Sequence, residues 1–121
     1  MKGILINADK RKVVAVDVRP DPNKDLAGLR KLIGCEWVEP VIVGDGLTLW
    51  LDEEGRLKQP KAGFRLSGFP TNFVGNGVLL GGDTEHVRTC RAAVEVVAMG
   101  VRWVAANAVT LPIRSEFVVL S

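Results

Sequence analysis

The only histidine of the chain, His86, stands four residues before Cys90. On a helix this spacing would bring the two side chains together, and an imidazole beside a thiol could form a nucleophile pair. Covalent catalysis also needs a third group that orients the histidine and donors that stabilise an oxyanion, and the sequence locates neither. A surface histidine beside a core cysteine is therefore favoured, with His86 kept as a candidate catalytic residue.

A second candidate is a basic segment with interleaved aromatic residues between positions 56 and 73. Its members are Arg56, Lys58, Lys61, Arg65, Phe64, Phe69 and Phe73. Cationic groups neutralise phosphates and phenyl rings stack on bases, so the segment could bind a nucleotide or a single nucleic-acid strand. A loop anchored by its phenylalanines, with its charges in water, is favoured because the charge of the whole chain is nearly balanced. The candidate ligand-binding set also includes Asn72 and Asn76.

Three consecutive carboxylates, Asp52, Glu53 and Glu54, precede Gly55. Oxygen ligands of this kind bind hard cations, so the group is a candidate metal site. No calcium-loop spacing follows, and Asp and Gly are common where a strand ends in a turn. A solvated turn is therefore favoured, and no metal or other cofactor is expected.

Glycines at 75, 77, 81 and 82 precede Asp83, where a helix is predicted to begin. Glycines before a helix can expose backbone N–H groups to a phosphate. The dinucleotide-binding and Walker signatures are both incomplete, so turns and bulges are the favoured role of these glycines.

The elements that must position these residues begin with two hairpins and a short helix. Gly3–Asn7 and Val13–Val18 are predicted to pair, as are Val41–Val43 and Leu47–Leu51 around an Asp-Gly turn. Between the hairpins, Leu26, Leu29 and Ile33 recur at helical spacing, with Asn23 or Asp25 as the cap and Gly34 as the end.

The second half of the chain predicts an irregular stretch from 56 to 82 that contains one buried strand, Val78–Leu80. A helix is predicted from Asp83 to Gly100, because Val87, Cys90, Val94 and Val97 recur every three or four residues. Strands are predicted over 101–106 and 116–120. The three tryptophans, Trp37, Trp50 and Trp103, fall in predicted strands and are expected to lie in the core.

Composition sets the class of protein. The chain has 121 residues, is 47% hydrophobic and carries a net charge of +2, which suits one compact domain over 1–121. The irregular order of strands and helices predicts an α+β fold with a mostly antiparallel sheet and two helices. No signal segment or membrane span is found, and Cys35 and Cys90 lack the spacing of a redox or zinc motif, which predicts a cytoplasmic protein with free thiols.

Several short motifs together resemble one known family. They are Met1–Ile6, the group Leu29, Leu32, Ile33, Gly34 and Glu36, the run Leu51–Gly55 with Leu57 and Lys58, Asn72 after Pro70, and the glycine-led strand Gly75–Gly82. This pattern is similar to the domain of unknown function family 3846, small proteins common in phages and other mobile elements. The resemblance covers roughly the first two thirds of the chain. It implies a phage or mobile-element setting and supplies no reaction.

The leading functional hypothesis is an accessory module that is not an enzyme and binds a host protein or a small phosphate-bearing molecule. One alternative is a nucleic-acid-binding protein that uses segment 56–73, whose binding would weaken steeply with salt. Another is a small hydrolase or transferase that uses His86 with carboxylates of the Asp52 turn. Exposed strand edges also predict a homo-oligomer.

Overall fold

Stretches rich in β-branched residues and leucine form two antiparallel sheets in the computed structural model, which describes residues 1–44, 46–55 and 62–105. Two helices accompany the sheets. In chain order the elements are β1 (Lys2–Asn7), β2 (Lys12–Asp17), α1 (Ala27–Ile33), β3 (Val38–Gly44), β4 (Leu47–Asp52), β5 (Gly63–Leu66), β6 (Phe73–Val74), β7 (Gly77–Gly82), β8 (Val87–Arg88), α2 (Val94–Met99) and β9 (Val101–Val104).

The larger sheet has the strand order β2-β1-β7-β4-β3, and the short strand β8 also pairs with β7. The central strand β7 is buried along nearly all of its length, since both faces of the sheet are covered. Alternate residues of β7 point to opposite faces, so Val78 and Leu80 join one hydrophobic cluster while Leu79 joins the other. The sheet is therefore the layer between two cores.

Helix α1 covers one face of this sheet. Its buried residues Leu29 and Ile33 pack in the cluster that contains Trp50, Val78 and Leu80. The helix ends where Gly34 adopts a left-handed φ of 83° and returns its amide to the carbonyl of Arg30.

The three-stranded sheet, with the order β6-β5-β9, covers the opposite face together with α2. Phe64 on β5 is fully buried and packs with Phe73, with ring centroids 5.4 Å apart. The same cluster contains Ile4, Leu49 and Leu79 of the larger sheet. Phe64 and Phe73 therefore join the two sheets through the core, as the anchoring interpretation of the basic segment predicted.

The first half of the chain agrees with its sequence predictions except at the cap of α1. Both hairpins form, α1 ends at Gly34, and the fold is α+β with a mostly antiparallel sheet. The predicted cap at Asn23 or Asp25 is wrong, because the N-cap of α1 is Leu26 and makes no side-chain hydrogen bond; Asp25 accepts the amide of Ala27 from one position further out. Asp45, in the predicted Asp-Gly turn, and the predicted strand 116–120 lie outside the described residues.

The helix predicted from Asp83 to Gly100 is wrong over its first half. Val87 and Arg88 form β8 against Gly82 and Gly81 of β7, and helix α2 begins only at Val94. Val87 and Cys90 are buried, as the apolar pattern predicted. Strand pairing instead of a helix buries Val87, and a hydrogen bond from the Cys90 amide to the Lys2 carbonyl holds the backbone at Cys90. Tertiary pairing has overridden the local helical spacing.

Two further predictions differ from the structure. Trp37 precedes β3 instead of lying in a strand and is 58% exposed, whereas Trp50 is buried in β4 and Trp103 is half-buried in β9. The stretch predicted to be irregular contains β5 and β6 in addition to the strand at 78–80. These strands are only 4 and 2 residues long, too short to show an alternating pattern of their own.

Candidate ligand-binding site

A cleft of about 1080 Å³ opens where the β3–β4 hairpin meets the β7–β8 hairpin. We refer to it as the hairpin cleft. Its lining consists of Ile42, Gly44, Gly46, Leu47, Gly81, Gly82, Asp83, His86, Arg88, Thr89, Arg91 and Ala92. Ligand pockets commonly enclose about 300 to 1,000 Å³, so the cleft has the size for a small organic molecule.

Close backbone approach shapes one wall of the cleft. Gly82 has a φ of 78°, in the left-handed region, and a side chain at this position would collide with the carbonyl oxygen of His86. At Gly81 a side chain would meet the carbonyl oxygen of Thr89. Both glycines are therefore required by the tight β7–β8 hairpin, and they leave backbone instead of side chains facing the cleft.

The turn between β7 and β8 is held by Asp83. Its Oδ1 atom accepts the amides of Glu85 and His86 at 2.9 and 2.8 Å, and its own amide donates to the His86 carbonyl at 3.2 Å. The hydrogen bonds from the His86 and Glu85 amides hold the pKa of the Asp83 carboxyl below its ordinary value of 3.8. Asp83 thus makes helix-cap-like bonds, but the chain that follows continues into a strand.

A second clamp holds the far side of this hairpin. The Asn23 side chain accepts the amide of Val87 and donates to the carbonyl of Val87, both at 2.8 Å. The Oδ1 atom of Asp21 in turn accepts the amide and the side-chain NH₂ of Asn23. The Asn23 side chain therefore bonds the amide and carbonyl of Val87 as a neighbouring strand would. These bonds hold the backbone of the hairpin in place at Val87.

The charges around the hairpin cleft are mainly positive. Arg88 and Arg91 contribute two guanidinium groups, and His86 adds an imidazole. Among the described residues of the lining, Asp83 is the one carboxylate, and its Oδ1 atom already accepts two backbone amides. Ile42, which is 61% exposed, gives the opposite hairpin an apolar surface. The cleft therefore combines anion-binding groups with an apolar wall.

His86 and Cys90 are not brought together as a nucleophile pair. His86 is exposed in the turn before β8, while Cys90 is buried in the core after it. Leu47, at the cleft, and Asp52 lie at opposite ends of β4, which at about 3.4 Å per residue separates them by roughly 17 Å. The carboxylates of the Asp52 turn therefore do not join His86 in one site.

The described part of the basic segment divides between core and surface. Phe64 is fully buried, so its ring is not accessible for stacking on a base. Arg65 is exposed, and its Nε atom donates to Oδ1 of Asn72 at 3.1 Å. Arg56, Lys58 and Lys61 lie outside the described residues.

The remaining candidates hold local structure. The side chain of Asn76 accepts the amide of Ala8 at 2.8 Å and so supports the β1–β2 turn. Asp52 accepts the amide of Glu54 at 2.9 Å, and the Glu53 amide donates to the Trp37 carbonyl. Among residues 1–44, 46–55 and 62–105, no group of three or more His, Cys, Asp and Glu side chains is arranged to hold a metal ion.

Sequence reasoning missed Arg88 and Arg91 as site residues because it placed them on the solvent face of a helix. Two signals pointed the other way. Val87 and Thr89 are β-branched, which favours a strand, and the pair Gly81-Gly82 is typical of a close approach between backbones. Predicting a hairpin between residues 81 and 89 would have placed Arg88 next to Gly81 and Gly82.

Comparison with known proteins agrees with the resemblance seen in the sequence motifs. The family model described as Domain of unknown function (DUF3846) matches residues 1–98, well over half of the 121 residues. The match extends beyond the first two thirds and into α2. No curated protein and no solved structure matches the chain. Within the described residues, no helix has the length and apolar character needed to cross a membrane. The chain belongs to the DUF3846 family of domains of unknown function.

Proposed function

We propose that this domain is a binding module, not an enzyme, and that it holds a small phosphate-bearing ligand in the hairpin cleft. The observation that carries the proposal is the convergence of Arg88, Arg91 and His86 on one cleft beside Gly81 and Gly82, which place no side chain there. Guanidinium groups bind phosphate oxygens through paired hydrogen bonds.

Two features of the cleft support a ligand with both an anionic and an apolar part. Ile42 and Leu47 on the β3–β4 hairpin face the basic residues of the β7–β8 hairpin across the cleft. The backbone that leads to Arg88 is also held in place before any ligand arrives, since Asp83 bonds the His86 amide and Asn23 bonds the Val87 amide. A preformed site loses less conformational entropy on binding. A nucleotide, with phosphates on one wall and its ring on the other, matches this arrangement.

The proposal is tested by titrating the full chain with a nucleoside diphosphate and, separately, with inorganic pyrophosphate. We expect the nucleotide to bind more tightly, because only it can use the apolar wall. The double variant Arg88→Gln/Arg91→Gln should lose about tenfold or more in affinity, the loss expected for one charge-assisted hydrogen bond. Lys24→Gln, which removes one exposed positive charge outside the cleft, should bind as the original chain does. A double variant that binds the nucleotide as tightly as the original chain does would refute the proposal.

Two functions predicted as alternatives receive less support. A hydrolase that uses His86 with the Asp52 turn lacks the required proximity. A nucleic-acid-binding surface at 56–73 retains the exposed Arg65 but not the rings of Phe64 and Phe73, which are buried. The phage or mobile-element setting, the host-protein partner, the cytoplasmic location and the homo-oligomer stay predictions.

A further inference from the structure

We propose that the outer face of the three-stranded sheet carries a second anion site, distinct from the hairpin cleft, in which Arg65 and Arg102 together bind one phosphate group. The register of β5 and β9 places Arg65 directly opposite Arg102. Directly opposed residues of antiparallel strands project to the same face with Cβ atoms about 5 Å apart. The adjacent pair, Phe64 and Trp103, faces the core, so both arginines face outward.

Two positively charged side chains at directly opposed positions of a sheet repel each other. Like charges directly opposite on a sheet destabilise it, and opposite charges are the usual arrangement. No carboxylate of the described residues forms an ion pair with Arg65 or Arg102. The carboxylates that form ion pairs within the described residues are those of Asp17 and Asp25. An anion between the two arginines would remove the repulsion and receive hydrogen bonds from both.

The surroundings of the pair form a recess that can hold such a group. Arg65, Arg102, Ser67, Phe69 and Met99 contribute to the lining of a cleft of about 490 Å³. Its rim is fixed, because the amide of Ser67 donates to the carbonyl of Gly100 at 2.7 Å. Asn72 binds Nε of Arg65, which restrains the guanidinium.

The chemistry that this site recognises is a phosphate group. A guanidinium pair matches the tetrahedral oxygens of phosphate better than a single cation does. The group could belong to a small molecule or to a nucleic-acid backbone. We assign it to a small molecule, because the rings of Phe64 and Phe73 are buried and only the partly buried ring of Phe69 lines the recess, so a run of successive bases would have no series of rings on which to stack.

The experiment follows backbone amide signals of the full chain by NMR during titration with inorganic pyrophosphate. The amides of Arg65 and Arg102 report on this site, and those of Gly82 and His86 report on the hairpin cleft, so the two proposals fail or succeed separately. We expect Arg65→Gln and Arg102→Gln each to weaken the binding seen at β5 and β9 by about tenfold or more. Lys10→Gln, which removes an exposed charge from the β1–β2 turn, should leave it unchanged.

Measurements without ligand give an independent outcome. Because each substitution relieves the repulsion, Arg65→Gln and Arg102→Gln should unfold at a denaturant concentration no lower than that of the original chain. Unchanged pyrophosphate binding in both variants, or no shift of the Arg65 and Arg102 amides in the original chain, would overturn the proposal. Tighter, steeply salt-dependent binding of a single-stranded oligonucleotide at the same amides would overturn the assignment to a small molecule.

Discussion

Aspartate has the same structural role at four places in this protein. Asp21, Asp25, Asp52 and Asp83 each accept the backbone amide of the residue two positions further along the chain. Aspartate favours turns because its short side chain can take over a backbone hydrogen bond in this way. Asp52, the first of the three carboxylates that were candidates for a metal site, therefore shapes a turn through this bond.

At the scale of single residues, Gly82→Ala tests whether the β7–β8 hairpin requires a glycine. The left-handed φ of 78° costs an L-residue about 1 to 2 kcal/mol, and the new Cβ would also collide with the His86 carbonyl oxygen. We therefore expect the free energy of unfolding to fall by more than about 2 kcal/mol, as measured by chemical denaturation.

Gly34→Ala is the matched control. Gly34 has a φ of 83°, but no atom of the described residues lies within 4 Å of the position its Cβ would take. This variant should lose only the conformational part, about 1 kcal/mol. Equal losses at Gly34 and Gly82 would show that the close approach to His86 contributes nothing.

At the scale of elements, the sequence predicted the parts of the fold that local patterns specify. The β1–β2 and β3–β4 hairpins and α1 carry their own turn and cap signals, and all three form. The β7–β8 hairpin depends instead on contacts with Asn23, 64 residues away in the chain, so the local helical spacing of Val87 and Cys90 was misleading. The hairpin cleft could not be predicted because its two walls meet through the long-range pairing of β4 with β7.

Asn23→Ala tests the long-range clamp on that hairpin. The substitution removes both hydrogen bonds to Val87 and leaves its amide and carbonyl without those partners. Because Val87 is buried, we expect a loss of about 2 to 3 kcal/mol in the free energy of unfolding and faster hydrogen exchange at the Val87 amide. Lys24→Ala, at the exposed neighbouring position, should change neither quantity. Unaltered exchange at Val87 in the Asn23 variant would contradict the role given to this clamp.

At the scale of the whole molecule, one sheet serves two cores. Leu49 and Leu51 of β4 pack toward the three-stranded sheet, while Trp50 between them packs toward α1. The site proposed at Arg65 and Arg102 lies on the three-stranded sheet, and the hairpin cleft lies at the end of β4 and β7. Both proposed sites thus depend on the packing of the two sheets against each other, although they lie on different surfaces of the molecule.

The substitution Phe64→Ala tests how much the packing between the two sheets contributes to the free energy of unfolding. Phe64 is fully buried, contacts Phe73 and belongs to the core shared by the two sheets, so its removal leaves a cavity that the surrounding strands cannot fill. Losses of about 3 to 5 kcal/mol are typical for such a change. The adjacent substitution Arg65→Ala, on the outer face of the same strand, should stay within about 0.5 kcal/mol of the original chain or raise its stability. Chemical denaturation of the two variants compares core and surface at neighbouring positions. A small loss at Phe64 would mean that this ring contributes little to the core between the two sheets, whereas a large loss at Arg65 would give that arginine a structural role that its exposed position does not explain.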